Sequence, residues 1–175
     1  MTLRVFPVAG GAQYTNDWQF ARDGGARAHE GNDLFAPEGT PLLAVDDGTV
    51  RYAVEGLGGN SVYLRADDGV TYFYTHLQRF EGDARRVQAG EVIGYLGRTG
   101  NARTTAPHVH FGVYRGGAPE NPFPLLQRAS IQNAPGGGRP GISLFWTALA
   151  LTGVGIGVWA YLNPSGARAL LRRYT

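Results

Sequence analysis

Two Asp-Asp-Gly tripeptides, at residues 46–48 and 67–69, do most to limit the folds open to this chain. Runs of β-branched and aromatic residues flank each one. Leu42-Leu43-Ala44-Val45 precedes the first, and Thr49-Val50-Arg51-Tyr52-Ala53-Val54 follows it. Residues 60–66 precede the second, and Val70-Thr71-Tyr72-Phe73-Tyr74-Thr75 follows. Asp-Gly tolerates the positive φ of a tight turn, so such a pattern predicts strand, turn, strand. Residues 91–96 and 109–114 supply two more strands. There are 27 glycines and 10 prolines, and no long helical period runs through this region. The expected fold class is all-β and antiparallel.

Composition narrows the partners. The formal charge is +2, and every basic residue is an arginine. The arginines are scattered, with Arg85-Arg86 and Arg172-Arg173 the only pairs. A nucleic-acid binder would carry a basic stripe or a recognition motif, so no nucleic-acid partner is expected. The chain has no cysteine, which excludes disulfides and thiolate metal sites. The first ten residues hold no long apolar stretch behind a charged start, and do not read as a secretory signal.

The character changes near Asn121. Asn121-Pro122-Phe123-Pro124 closes the β region, giving an expected domain at 1–127. Residues 128–141 read as a linker rich in glycine and proline. Residues 142–162 then run for 21 positions without a charged side chain. A helix of that length spans roughly 31 Å, close to a bilayer's hydrocarbon core. Phe145 and Trp146 near one end, and Trp159 and Tyr161 near the other, match interfacial aromatic belts. A transmembrane helix is therefore expected, followed by a basic tail at 163–175. Arg168, Arg172 and Arg173 after the span favour a cytoplasmic C-terminus and a β domain outside.

The chemistry lies in the histidines. There are four, at positions 29, 76, 108 and 110. His108 and His110 are two apart, so in a strand they share one face while Val109, Phe111 and Val113 face the core. His29 and Asp33 are four apart among glycines, which suits a loop entering a strand. His76 ends the strand at 70–75. Imidazole and carboxylate are the donors of a hydrolytic zinc site. One histidine beside apolar residues is more often structural. Four histidines in three short motifs, one with a spaced carboxylate, are hard to place that way. Asn60 and Tyr74 suit a groove, or equally a turn and a strand. Arg103-Thr104-Thr105 suits a substrate contact or a solvated loop.

These motifs carry a resemblance. His29-x-x-x-Asp33 is followed by Phe35-Ala36-Pro37-Glu38-Gly39-Thr40-Pro41 and Asp47-Gly48-Thr49-Val50. Gly59-Asn60-Ser61-Val62, Thr75-His76-Leu77 and Gly97-Arg98-Thr99-Gly100-Asn101 precede Pro107-His108-Val109-His110-Phe111. In this order they resemble the lysostaphin/LytM-type zinc peptidases, from about Phe6 to Leu126. The resemblance implies an antiparallel lysostaphin-type β domain, like a duplicated hybrid motif, with a long groove. It implies zinc held by His29, Asp33 and His110, with His76 and His108 as the catalytic pair. It implies the peptide part of bacterial peptidoglycan as substrate. His108 is assigned as general base and then proton donor, and His76 as hydrogen-bond partner of the oxyanion. These two roles are interchangeable on the sequence.

The expected function is a zinc endopeptidase that cuts peptidoglycan cross-links. A span at 142–162 would hold it at a membrane, with its catalytic domain facing the wall. Two other readings stand beside it. One is a non-catalytic, zinc-stabilised module that binds wall or activates an amidase. The other is a component of a virion or phage-tail-like particle that opens the wall during entry, in contact with that particle's proteins.

Overall fold

The structure is a computed structural model, and it describes residues 2–132. The expected transmembrane segment at 142–162, the basic tail and most of the expected linker lie outside the described residues. Among the described residues, no helix is long and apolar enough to cross a membrane.

The described chain is mostly antiparallel β. In order, its strands are β1 (Ala21–Arg22), β2 (Arg27–Ala28), β3 (Asn32–Phe35), β4 (Pro41–Leu43) and β5 (Gly48–Glu55). Then come β6 (Gly59–Ala66), β7 (Thr71–Leu77), β8 (Arg79–Phe80), β9 (Arg85–Val87) and β10 (Val92–Tyr95). Strands β11 (His108–Arg115) and β12 (Ala118–Glu120) precede one helix, α1 (Phe123–Gln132). The large sheet has the order β12-β11-β7-β6-β5-β9, with β3 also paired to β11. A smaller sheet has the order β4-β10-β8, and β1 and β2 form a separate short ribbon.

Alternation along the strands of the large sheet sets its two faces. Val109, Phe111 and Val113 are buried, as are Val62 and Leu64 on β6 and Tyr72 and Tyr74 on β7. They form one core with Leu42 and Ile93 of the small sheet and Leu3, Phe6 and Val8 of the N-terminal segment. The opposite face of the large sheet carries His108 and His110. Burying one face fixes register, because a slip of one residue would exchange core and groove positions.

The second Asp-Asp-Gly is the hairpin expected. Ala66 N–H donates to the Val70 carbonyl at 2.8 Å, and Gly69 has φ 86°. The first is different. Strand β4 pairs with β10, whereas β5 pairs with β6 and β9. Residues 46–48 therefore carry the chain from one sheet to the other. The tripeptide is the same in both cases, but Gly69 takes a positive φ whereas Gly48 already belongs to β5. At the first turn Asp47 is drawn into long-range bonds, accepting the Ala89 N–H at 2.8 Å and pairing with Arg4.

Tyr74 belongs to the core, which decides between its two sequence readings. Its hydroxyl donates to the Leu43 carbonyl at 3.0 Å and accepts the Val45 N–H at 3.3 Å, tying the large sheet to the end of β4. Tyr74→Phe leaves both backbone groups short of a partner. It is expected to lower stability by about 1–3 kcal/mol. A fall in denaturation midpoint with activity per folded molecule unchanged would show this.

Helix α1 was not expected from the sequence. It runs across the expected domain boundary at 127/128, and Leu125, Leu126 and Ala129 pack into the core. Asn121 Oδ1 accepts the Phe123 N–H at 3.0 Å and so caps its start.

Candidate metal and catalytic site

Strand pairing builds the site. In the β3–β11 register His110 lies directly opposite Asp33, and in the β7–β11 register it lies opposite Thr75. His29 immediately follows β2 in sequence and is buried. Its backbone N–H bonds the Phe20 carbonyl at 2.9 Å, which sets the ring over β3 and β11. The two imidazole rings lie 4.7 Å apart.

Three donor atoms converge. His29 Nε2 is 2.7 Å from His110 Nδ1 and 3.0 Å from Asp33 Oδ1, and the last two are 3.2 Å apart. Among the described residues this is the one cluster of three or more such side chains able to hold a metal ion. Zinc bonds of about 2.0–2.1 Å in a tetrahedral set put neighbouring donors roughly 3.3 Å apart. The cluster is a few tenths of an ångström tighter, so a small opening admits the ion. The donor chemistry fits too, since two neutral imidazoles and one carboxylate are a hydrolytic zinc set.

A second layer orients these donors. Asp17 accepts from His29 Nδ1 through its backbone carbonyl at 3.0 Å, with a carboxylate oxygen at 3.2 Å. That keeps the hydrogen on Nδ1 and frees Nε2. Asn32, fully buried, donates from Nδ2 to Asp17 Oδ1 at 2.6 Å and holds this carboxylate. Arg22 Nη2 donates to Asp33 Oδ2 at 2.7 Å. Nothing in the spacing of the sequence marked Asp17 or Arg22.

Charge follows from this arrangement. Burial opposes a charged His29, but the bonds with Asp17 and Asp33 outweigh it and lift its pKa to about 9. Burial also opposes charge on Asp33. Bonds from His110 and His29 reverse this and hold Asp33 well below the usual carboxylate range. His110 moves down, chiefly by burial. A site that binds one proton tightly among three converging donors is one where a cation is stabilised.

Gly31 gives His110 its space. A Cβ there would sit 2.6 Å from His110 Cε1 and 2.6 Å from the Phe111 carbonyl oxygen. The β11 carbonyl cannot yield, so the residue 31 backbone must shift as well as the His110 ring. Gly31→Ala is expected to shift His110 and weaken zinc roughly tenfold or more, as loss of a supporting partner does. Competition with a chromophoric chelator measures it.

His76 and His108 form a second pair, with ring centroids 4.9 Å apart. His76 Nδ1 donates to the Thr99 carbonyl at 2.9 Å, and His108 Nδ1 to the Ala106 carbonyl at 2.9 Å. Both rings therefore keep Nε2 as the unprotonated atom. Burial, helped by His108, pushes the His76 pKa down to about 4. His76 has φ 65°, a left-handed conformation rare outside glycine. Its N–H bonds the Gly58 carbonyl at 2.8 Å, and its carbonyl accepts the Thr99 N–H at 3.3 Å. The two loops meet backbone to backbone, since a Cβ on Gly59 would lie 2.3 Å from Gly100 N. That over-determination sustains the strained φ. Phe35 packs on His108 at 5.1 Å.

The remaining sequence candidates lie at the margin. Asn60 Nδ2 donates to the Gln78 carbonyl at 3.2 Å, as a structural residue would. Arg103 is on an exposed turn and lines a shallow pocket of about 260 Å³ with Glu38, Gln78, Arg98 and Thr99.

Known proteins resemble this chain in sequence and in fold. The profile of peptidase family M23 matches residues 27–122. The DD-carboxypeptidase/endopeptidase Mpg of Neisseria meningitidis is 42% identical over 97 residues, covering 55% of this chain and 22% of that protein. The L-Ala–D-Glu endopeptidase of Bacillus subtilis is 31% identical over 135 residues, covering 69% of this chain and 41% of that protein. The chain thus spans less than half the length of either relative. The catalytic domain of the antimicrobial peptidase lysostaphin from Staphylococcus simulans aligns with TM-score 0.53 and 30% identity, over 66% of this chain and 92% of that domain. With the profile covering more than half of its residues, the chain belongs to peptidase family M23.

Proposed function

We propose that this chain is a zinc-dependent endopeptidase that hydrolyses peptide cross-links of bacterial peptidoglycan. In this reading His29, Asp33 and His110 hold the metal, and His76 and His108 are the catalytic pair. The convergence of His29 Nε2, Asp33 Oδ1 and His110 Nδ1 beside two histidines with free Nε2 atoms carries the reading. The relatives' names support the substrate class.

Bound zinc would polarise the scissile carbonyl and make water nucleophilic near neutral pH. The chain's own residues do the rest. His108, two residues from His110 on one strand, is about 7 Å along the backbone from that ligand. Its Nε2 is the general base and then passes the proton to the leaving amine. His76 hydrogen-bonds the oxyanion as an imidazolium, from Nε2, with a proton separate from the one His108 moves from water to the amine. The Ala106 carbonyl holds His108 in the tautomer that a base at Nε2 requires, and the Thr99 carbonyl fixes the His76 ring through Nδ1.

Delivery is a further part of the proposal. The uncharged run at 142–162 supports a membrane tether with the β domain facing the wall. Placement in a virion or phage-tail-like particle is the alternative. Recovery in membrane fractions rather than purified particles favours the tether.

Mass spectrometry of fragments released from purified sacculi tests the activity. Release of new peptide termini names the bond and marks an enzyme. Binding to sacculi without release would leave only a wall-binding or amidase-activating module.

A further inference from the structure

Asp33 meets the metal cluster through one oxygen. Its Oδ1 faces both imidazoles, whereas Oδ2 accepts Arg22 Nη2 at 2.7 Å. The same Nη2 is 3.3 Å from Asp17 Oδ2 and 2.8 Å from His29 Nδ1. With the Nδ1 hydrogen given to Asp17, Nδ1 cannot accept, and that last approach is a close donor–donor contact rather than a hydrogen bond. A single guanidinium nitrogen thus touches the outer side of two ligands and the carboxylate that orients one of them.

Two consequences follow from elementary chemistry. A carboxylate free at both oxygens can bind a cation through either or both. A donor fixed on Oδ2 engages that oxygen and leaves Oδ1 to the metal. Asp17 also places a second negative charge behind His29, where it and Asp33 repel. The Arg22 charge between them offsets it, so the supporting layer stays neutral.

The chain delivers Arg22 by a dedicated ribbon. It lies on β1, and the turn at Asp23–Gly25 returns the chain through β2 to His29. Gln19 N–H bonds the His29 carbonyl at 2.9 Å, and His29 N–H bonds the Phe20 carbonyl. The ribbon is therefore pinned to the ligand whose partner it carries. Elsewhere on it, Arg27 pairs with Asp23 and does not touch the metal cluster.

We infer that Arg22 is a positioning residue for the metal centre, holding Asp33 as a single-oxygen ligand and so setting a low coordination number. The inference rests on the zinc reading above and deepens it. Arg22→Met in the full chain is expected to weaken zinc about 10–100-fold, as loss of an outer-layer partner does. Cobalt(II) put in place of zinc reports the geometry without any turnover. Its visible absorption is intense in four-coordinate sites and weak in five- or six-coordinate ones. The wild-type chain should give the intense spectrum, and Arg22→Met a weaker one per bound cobalt. Arg27→Ala loosens the same ribbon without touching Asp33 and should change neither readout. Unchanged zinc affinity and cobalt spectrum in Arg22→Met would overturn the inference. So would an equal loss in Arg27→Ala, which would assign the effect to ribbon integrity. His110→Ala separates the two levels, because full zinc retention in that variant would overturn the metal site itself.

Discussion

His110→Ala is expected to abolish zinc binding and wall hydrolysis together. His110 is the one member of the cluster on β11, and its Nδ1 is within 3.2 Å of both other donors. Without it, His29 and Asp33 remain 3.0 Å apart as an ion pair. Such a pair is satisfied by a proton, and together with Asp17 it outweighs burial and raises the His29 pKa. Two donors closed on each other have little reason to admit a metal. The fold should survive, because Asp17 and Arg22 still satisfy the outer atoms of His29 and Asp33. The expected result is a folded protein with no stoichiometric zinc and activity at background. Elemental analysis and sacculus digestion check both.

His108→Ala should separate binding from chemistry. The His108 ring makes no hydrogen bond to His29, Asp33 or His110, and its Nδ1 is held by the Ala106 carbonyl on its own chain segment. Zinc content should therefore stay near wild type. Turnover should fall about 10²–10⁴-fold, the usual contribution of a positioned acid–base group. Assay of released fragments at equal zinc occupancy measures this. A variant that lost zinc as well would mean that His108 belongs with the ligands. His76→Ala provides the comparison, with an expected loss of about 10²–10³-fold for a missing oxyanion donor.

The site was legible in the sequence because its chemistry uses rare residues in short spacings. His108 and His110 share a face by strand period alone, and the structure puts Val109 and Phe111 in the core as that period requires. His29 and Asp33 enter β3 as a loop-to-strand spacing suggests. What brings these two segments together is the pairing of β3 with β11, a contact across 77 positions between Asp33 and His110. Local pattern does not encode such a pairing.

That same limit explains why the turn at residues 46–48 leads into a different sheet. Asp-Gly predicts a reversal but not the partner of the strand that follows. Helix α1 was hidden by length, because only Leu125, Leu126 and Ala129 show its core face. Its signal was nonetheless present in Asn121-Pro122 ahead of those apolar positions, a cap before a short helix. Asp17 and Arg22 gave no signal. They act through hydrogen bonds to the backs of the donor residues, from a loop and a short ribbon whose spacing relative to His29 carries no period.

The central claim is that one zinc ion, held by His29, Asp33 and His110, makes this β domain a peptidase. The most direct test strips the full chain of metal, then measures sacculus cleavage while zinc is added back. The account predicts no cleavage without metal and recovery that saturates at one zinc per chain, absent in His110→Ala. Cleavage by the stripped protein, or equal recovery in His110→Ala, would contradict it.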